Sequence, residues 1–399
     1  MTERRPSLLE ITLYFLRLGA TGFGGPVALA NAIRADLAER LHWLSEDEYD
    51  RGLTIAAACP GPMAYQLGVY CGYITHGATG GILVGLAFAL APFILVTGIA
   101  ALYVHFAASG ITRGLFYGVG PVVVALIIKG WWGLGLKTLK RETAAWIIAG
   151  IALVVTVLVQ RELTVLFIGS GLLGIFIFAP KTIATRPPSP ESLQTTGSAL
   201  HSHAVPLLLA FVPSLGPAQT WNLFGFFFRT GLMVFGSGLV VVSFIKAYVV
   251  DQYHWMNERT FLDAVAIGMI SPGPVVITAT FVGFVVGGFS GALASTAGIF
   301  LPSIIFTVLG TPLLLRYRKN RYVIGFVRGV TVAVVGVLAG TAYLVGKPVI
   351  GDWLTTLILV AALAVPRLKK KIPDQALVAA GTVIGLIAYP LLRPEWMQH

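Results

Sequence analysis

The chain has 399 residues, of which 56% are hydrophobic and only 11% charged, and its formal net charge is +11. A soluble domain typically carries about 25% charged residues, so this composition, with a mean hydropathy of +0.83, excludes a water-soluble globular protein. The basic residues lie between apolar runs rather than on a polar domain, which excludes nucleic acid as a partner. The positive charge has two readings: lysine and arginine collecting in cytoplasmic loops, or a basic pathway for an anion.

Arg4 and Arg5 precede the first apolar run. No small-residue cleavage site follows and Arg17 interrupts the run, so the segment is expected to be retained. It ends in a glycine-rich break, Gly22-Phe23-Gly24-Gly25-Pro26, followed by a charged amphipathic stretch, Arg34–Arg51. The next apolar segment is interrupted by Pro60-Gly61-Pro62. Apolar runs including Gly80–Tyr103, Ala144–Val159 and Leu163–Ala179 follow, and another lies around Thr355–Val365. A bilayer core of about 30 Å needs roughly 20 such residues to cross it. Cys59 and Cys71 exclude a disulfide framework and read as buried thiols.

The pattern then repeats at an offset of 212: Arg17-x-Gly19 matches Arg229-x-Gly231, Phe23-Gly24 matches Phe235-Gly236, and His42-Trp43 matches His254-Trp255. Pro60-Gly61-Pro62 matches Pro272-Gly273-Pro274, and over 17–62 there are 13 identities in 46 ungapped pairs. Tryptophan, histidine and proline in register make chance a poor explanation. Between the copies, Lys181–His203 is rich in Ser, Thr and Pro and reads as a polar linker, and Val205–Leu215 is too short to span and reads as interfacial. The expected organisation is therefore an N-terminal repeat over 1–180, a linker with a short interfacial segment over 181–215, and a C-terminal repeat over 216–399.

Loop charge sets orientation. In the first copy the basic loop (Lys137, Lys140, Arg141) follows the segment at about 114–133, whereas in the second the basic loop (Arg316, Arg318, Lys319, Arg321) precedes its counterpart. The copies are thus expected to run oppositely through the bilayer. The fold class is an all-α polytopic membrane protein of two inverted repeats, with about ten transmembrane helices plus broken or re-entrant Pro-Gly-Pro hairpins.

Pro-Gly-Pro cannot sit in a continuous helix, because proline removes a donor and clashes with the preceding turn. It is also favoured at the first turn of a new helix. Half-helices are expected over Leu53–Ala58 and Met63–Tyr73, and over Ala264–Ile270 and Val275–Val286. Unpaired backbone at membrane depth is tolerated only inside protein or along a water-filled cavity, and a helix N-terminus there suits an anion. The candidate substrate-binding residues are Arg17, Gly24, Gly25, Pro60, Gly61, Pro62 and Gln66 in the first repeat. In the second they are Arg229, Gly236, Ser237, Ser271, Pro272, Gly273, Pro274 and Thr278. Arg17 and Arg229 are intramembrane or membrane-edge guanidinia, suited in their fork geometry to a tetrahedral oxyanion, or they snorkel to the interface. Arg34 and Lys246 read as a solvated face, and His42-Trp43 and His254-Trp255 as interfacial anchors. Lys129, mid-span, reads equally as structural.

No span carries paired mid-membrane carboxylates, no phosphate-binding loop is present, and no His/Cys cluster suggests a metal. Neither a cofactor nor an enzymatic activity is expected, which leaves transport driven by an ion gradient.

These residues resemble the chromate ion transporter family, in its long two-domain form. Its duplicated domain, Phe-Gly-Gly-Pro or Phe-Gly-Gly-Gly signature and paired Pro-Gly-Pro read here as Phe23-Gly24-Gly25-Pro26, Pro60-Gly61-Pro62, Phe235-Gly236-Ser237-Gly238 and Pro272-Gly273-Pro274, with Trp43 and Trp255 between them. The chain departs from the family's common residues at Leu29, Ala58, Met63 and Ile270. The resemblance implies a multi-pass protein of the bacterial inner membrane that exports chromate, with sulfate a related oxyanion and protons as coupling ion. A homodimer is compatible with it. The alternatives are a passive anion channel or a carrier of another small anion.

Overall fold

The computed structural model describes residues 5–22, 25–106, 110–140, 142–159, 164–179, 218–236, 240–317, 320–368, 372 and 374–392. The linker expected over 181–215, together with Gly24 and Ser237, lies outside them.

Helix α1, Leu8–Thr21, opens on a capping box in which Ser7 Oγ accepts from the Glu10 N–H at 3.2 Å and the Glu10 carboxylate accepts from the Ser7 N–H at 2.7 Å. It stops at Gly22. The chain then turns back through α2, Gly25–Ile33, which runs on as the wider π-helical turns Arg34–Arg40. The return is fixed by the Tyr14 hydroxyl, which donates to Asp36 at 3.0 Å, and by the Tyr14 and Trp43 rings, 6.2 Å apart. Trp43 is therefore buried, not displayed as an interfacial anchor. Helix α3, Glu46–Ala58, has its own capping box at Ser45 and Glu48 and an acidic first turn that suits the positive end of the helix dipole.

After α3 the chain crosses Cys59 and the two-residue strand β1, Gly61–Pro62, and enters α4, Met63–Phe106. Gly52 and Ile55 of α3 pack on Tyr70, so α3 and the start of α4 run antiparallel with Pro-Gly-Pro at the tip. Helix α4 is itself bent double at His76 and at Gly77, whose φ of 63° only glycine adopts cheaply. Its two arms, 63–75 and 78–106, are so close that Gly72 and Gly80 face each other's backbone, and Tyr65 Oη donates to the Gly85 carbonyl at 2.9 Å. Helices α5, Gly110–Thr138, α6, Thr143–Val159, and α7, Thr164–Ile177, complete this half.

The second half repeats the sequence of events. Helix α8, Ala218–Met233, leads to β2, Phe235–Gly236, then to α9, Val240–Ile245, with π-helical turns Lys246–Gln252. Helix α10, Glu258–Ile270, is followed by a 3-10 turn, Val275–Ile277, and α11, Thr278–Tyr317, which is bent at Gly287 and Gly288. Helices α12, Arg321–Val349, α13, Trp353–Leu368, and α14, Asp374–Leu392, close the chain. His42 and His254 take left-handed φ values of 49° and 51°, each ending a π-helical segment. Arg34 pairs with Glu46 at 2.9 Å and Lys246 with Glu258 at 3.0 Å, so the two cations fasten each π-helical segment to the helix after it.

The halves interlock. Helix α5 lies on α14, with Gly118 against the backbone at Gly381 and Gly385. Reciprocally, α12 lies on α7, with Gly325 and Gly329 against Ser170 and Gly174. Small residues allow this close approach where lipid offers no hydrophobic drive. Lys129 pairs with Asp374 at 2.6 Å and Arg328 with Glu142 at 2.6 Å, both across the halves; Lys129 thus has a structural partner.

Among the described residues, four helical stretches are long and apolar enough to cross a membrane: Met63–His105, Tyr117–Leu136, Val275–Pro312 and Arg321–Lys347. Shorter apolar helices lie at Thr143–Val159, Val165–Ile177, Trp353–Pro366 and Ala376–Tyr389. Leu158, Val165, Phe176, Trp353 and Leu391 turn outward, each more than two-thirds exposed. Such a surface is soluble only in lipid; this is an all-α multi-pass membrane protein.

The Gly72–Gly80 contact makes a test. Leucine at Gly72 would drive a side chain into the Gly80 carbonyl, an overpacking that costs about 1–3 kcal/mol. Gly72→Leu is expected to lower the melting temperature of the detergent-solubilised protein by several degrees, whereas Gly98→Leu, with open space at that position, leaves it unchanged.

Candidate functional site

Each Pro-Gly-Pro tip of one half meets the glycine-rich break of the other. Strands β1 and β2 pair in parallel, Gly61 opposite Phe235 and Pro62 opposite Gly236, and the Gly61 N–H donates to the Val234 carbonyl. The reciprocal contact is the Gly273 N–H donating to the Gly22 carbonyl at 2.8 Å. Both pairs are related by the offset of 212 found in the sequence. Prolines cannot donate, so the glycine between them supplies the one N–H at each tip that can close the contact. Gly61 and Gly273 hold φ values of 137° and 87°, which disfavour any side chain.

Four helices start just beyond these breaks: α2 at Gly25, α4 at Met63, α9 at Val240, and α11 behind the 3-10 turn that begins at Val275. Their first turns carry N–H groups without intrahelical acceptors.

The surroundings of the first tip are polar and buried. Gln66, fully buried, turns back so that Nε2 donates to the Pro60 carbonyl, leaving Oε1 with no partner among the described residues. Ser303 on α11 is also fully buried, and its Oγ is likewise unpartnered there. A methyl group built on Gly61 would overlap both Ser303 Oγ and Gln66 Nε2. At the second tip the corresponding methyl on Gly273 meets Pro92 Cγ at 3.0 Å. The polar groups there are satisfied locally: Ser271 Oγ donates to the Pro272 carbonyl at 3.2 Å and Thr278 Oγ1 to the Val275 carbonyl at 2.9 Å. The two tips are alike in backbone and unlike in side chain.

Of the candidate residues, the structure brings together Pro60, Gly61, Pro62, Gln66 and Gly236 at one tip, and Ser271, Pro272, Gly273, Pro274 and Thr278 at the other. Gly25 begins α2. Arg17 and Arg229 are exposed on α1 and α8, on the faces turned away from Gly19 and Gly231, which pack on α4 and α11. Arg229 lines a cavity of about 440 Å³ with Trp221, Phe226, Tyr248, Tyr253 and Trp255. Trp255 stacks on Tyr253 there, with ring centroids 4.7 Å apart.

Sequence reasoning did not single out Ser303 or Asp263. Ser303 is one hydroxyl in a long apolar run, and Asp263 looks like the end of a charged stretch; only the folded chain buries them. Among the described residues no cluster of His, Cys, Asp or Glu could hold a metal ion. Cys59 and Cys71 are free and buried.

The tip contact predicts a cross-link. Paired strand residues lie about 5 Å apart at Cα, within disulfide reach. In a background with Cys59 and Cys71 replaced by alanine, Pro62→Cys with Gly236→Cys is expected to oxidise to an intramolecular disulfide, seen as a mobility shift on a non-reducing gel. Pro62→Cys with Gly98→Cys should give none.

No solved structure matches this fold. The family model described as chromate transporter matches residues 9–175 and 221–386. The chain is 38% identical to a chromate transport protein of Cupriavidus metallidurans over 97% of this chain and 94% of the relative. It is also 38% identical to a probable chromate transport protein of Synechococcus elongatus, over 96% and 95%. It is 30% identical to a chromate transport protein of Pseudomonas aeruginosa, over 82% and 78%. With both halves matched and the breaks paired as described, the chain belongs to the chromate transporter family.

Proposed function

We propose that this protein is a secondary transporter of a tetrahedral divalent oxyanion, chromate first and sulfate as its isostere, in the bacterial inner membrane and coupled to the proton-motive force. The observation that carries the reading is the reciprocal pairing of the breaks, Gly61 to Val234 and Gly273 to Gly22. It draws half-helix N-termini from both repeats to the same seams, where their dipoles and free N–H groups favour negative charge. Membership of the family and the names of the relatives supply the substrate. The donor capacity of the Ser303 hydroxyl beside the first tip is consistent with a hydrogen-bonded oxyanion there. Arg17 and Arg229 stand on the helices that lead into the breaks and draw the anion toward them.

In this reading the repeats, 1–180 and 216–399, oppose each other in the bilayer, and transport is a rocking of one against the other about the paired tips. The interlocked α5/α14 and α12/α7 contacts keep the two in register during that motion.

Radiolabelled chromate flux in reconstituted vesicles tests the function. Accumulation against a gradient is expected when a proton gradient is imposed and lost with an uncoupler, while gradient-independent flux would mean a passive channel. Replacing Pro60-Gly61-Pro62 or Pro272-Gly273-Pro274 by three alanines is expected to abolish flux with the protein still in the membrane. Arg17→Gln or Arg229→Gln should slow it several-fold, with the difference from wild type shrinking as added salt screens the field, and Lys347→Gln far less. Labelling of single cysteines in the 134–142 and 316–321 loops from one side of the membrane tests the inverted arrangement: both should react from the same face.

A further inference from the structure

Asp263 lies in α10, the helix that descends to the second tip, and is 2% exposed. Tyr103, at the end of α4, donates its hydroxyl to Asp263 Oδ2 at 2.6 Å. The other oxygen, Oδ1, is buried and has no hydrogen-bond partner among the described residues. The charged and titratable groups that act on this carboxylate there are Tyr103 from α4 and Arg259, one turn earlier on its own helix. From α11, Phe281 packs edge-on against Tyr103, ring centroids 5.0 Å apart.

The repeat gives this arrangement a second peculiarity. Asp263 corresponds to Arg51 and Arg259 to Asp47 by the offset of 212. The first half thus has an acid followed by a base one turn on, and these form an ion pair. The second half has the same positions with the charges exchanged. In the second half the acid is placed at the buried end, about 13 Å along the helix from Pro272 at 1.5 Å per residue, and the base at the outer end.

A carboxylate serving only to anchor Tyr103 would have both oxygens satisfied or be an amide. One buried oxygen left open is costly while the group is charged, and the cost falls when a proton arrives there. We propose that Asp263 is the proton-carrying residue of the transporter. This rests on the reading of the protein as a gradient-driven oxyanion carrier. Oδ1 takes a proton from water on one side of the membrane and gives it up to water on the other; no other bond forms or breaks, and the solvent supplies and accepts the proton. Tyr103 fixes the orientation of the carboxyl throughout and acts as a positioning residue.

The test compares two modes in the same vesicles: chromate counterflow, which needs no proton movement, and proton-driven chromate accumulation read with a trapped pH-sensitive dye. For Asp263→Asn, counterflow is expected within about twofold of wild type, while driven accumulation and chromate-linked proton movement fall at least tenfold. Retained driven accumulation overturns the proposal. So does loss of counterflow together with driven transport, which would make Asp263 a residue of binding or packing. Should the Asn variant aggregate on gel filtration, Tyr103→Phe carries the test. It keeps the carboxyl and removes its donor, and is expected to change the pH at which driven transport is half-maximal; an unchanged midpoint overturns the proposal. Wild-type protein that moves chromate in neither mode overturns the transport reading, and this inference with it.

Discussion

Everything in this structure follows from one obligation: backbone groups at membrane depth must find partners inside the protein. A continuous helix meets it internally. Four broken segments cannot. Here each break lends its polar backbone to a break of the other half, Gly61 to Val234 and Gly273 to Gly22. That exchange requires both halves to be present and correctly placed, so neither half satisfies its own tips. The glycines at the tips follow from the same constraint. They must donate an N–H between two residues that have none, at φ values that a side chain opposes.

The rest of the architecture serves to hold those contacts. Hairpins end at the tips, so their stems need firm bases. Capping boxes at Ser7 and Ser45, and the Arg34–Glu46 and Lys246–Glu258 pairs, supply these at the far ends. Around them the outer helices exchange places, α14 lying on α5 and α7 on α12 through glycine contacts. Dispersion and close approach do the work that the hydrophobic effect does in water. Gln66, Ser303 and Asp263 each have a buried polar atom without a hydrogen-bond partner among the described residues, as do several other side chains including Tyr70, Ser295 and Thr307.

The halves are near-copies in backbone and differ in the side chains placed at equivalent points. Ser303 Oγ stands by the first tip where Pro92 stands by the second. Asp263 occupies the place of Arg51. The shared frame therefore does not impose the same side chains on the two tips.

The sequence by itself determined the membrane environment, because 56% hydrophobic and 11% charged residues leave too little polar surface for water. It also determined the helix breaks and their recurrence, since Pro-Gly-Pro allows no continuous helix and rare residues in register do not arise by chance. The family was readable from the same paired motifs. Only the tertiary structure decided which break meets which, because a glycine N–H carries no mark of its partner 173 residues away. It also turned the first segment back at Gly22 through the Tyr14–Asp36 and Tyr14–Trp43 contacts, which buried a tryptophan that composition would place at the interface. It gave Lys129 a partner in Asp374. Burial of Ser303 and Asp263 belongs to the same class of fact: a single polar residue in an apolar run acquires meaning only when packing decides whether water can reach it.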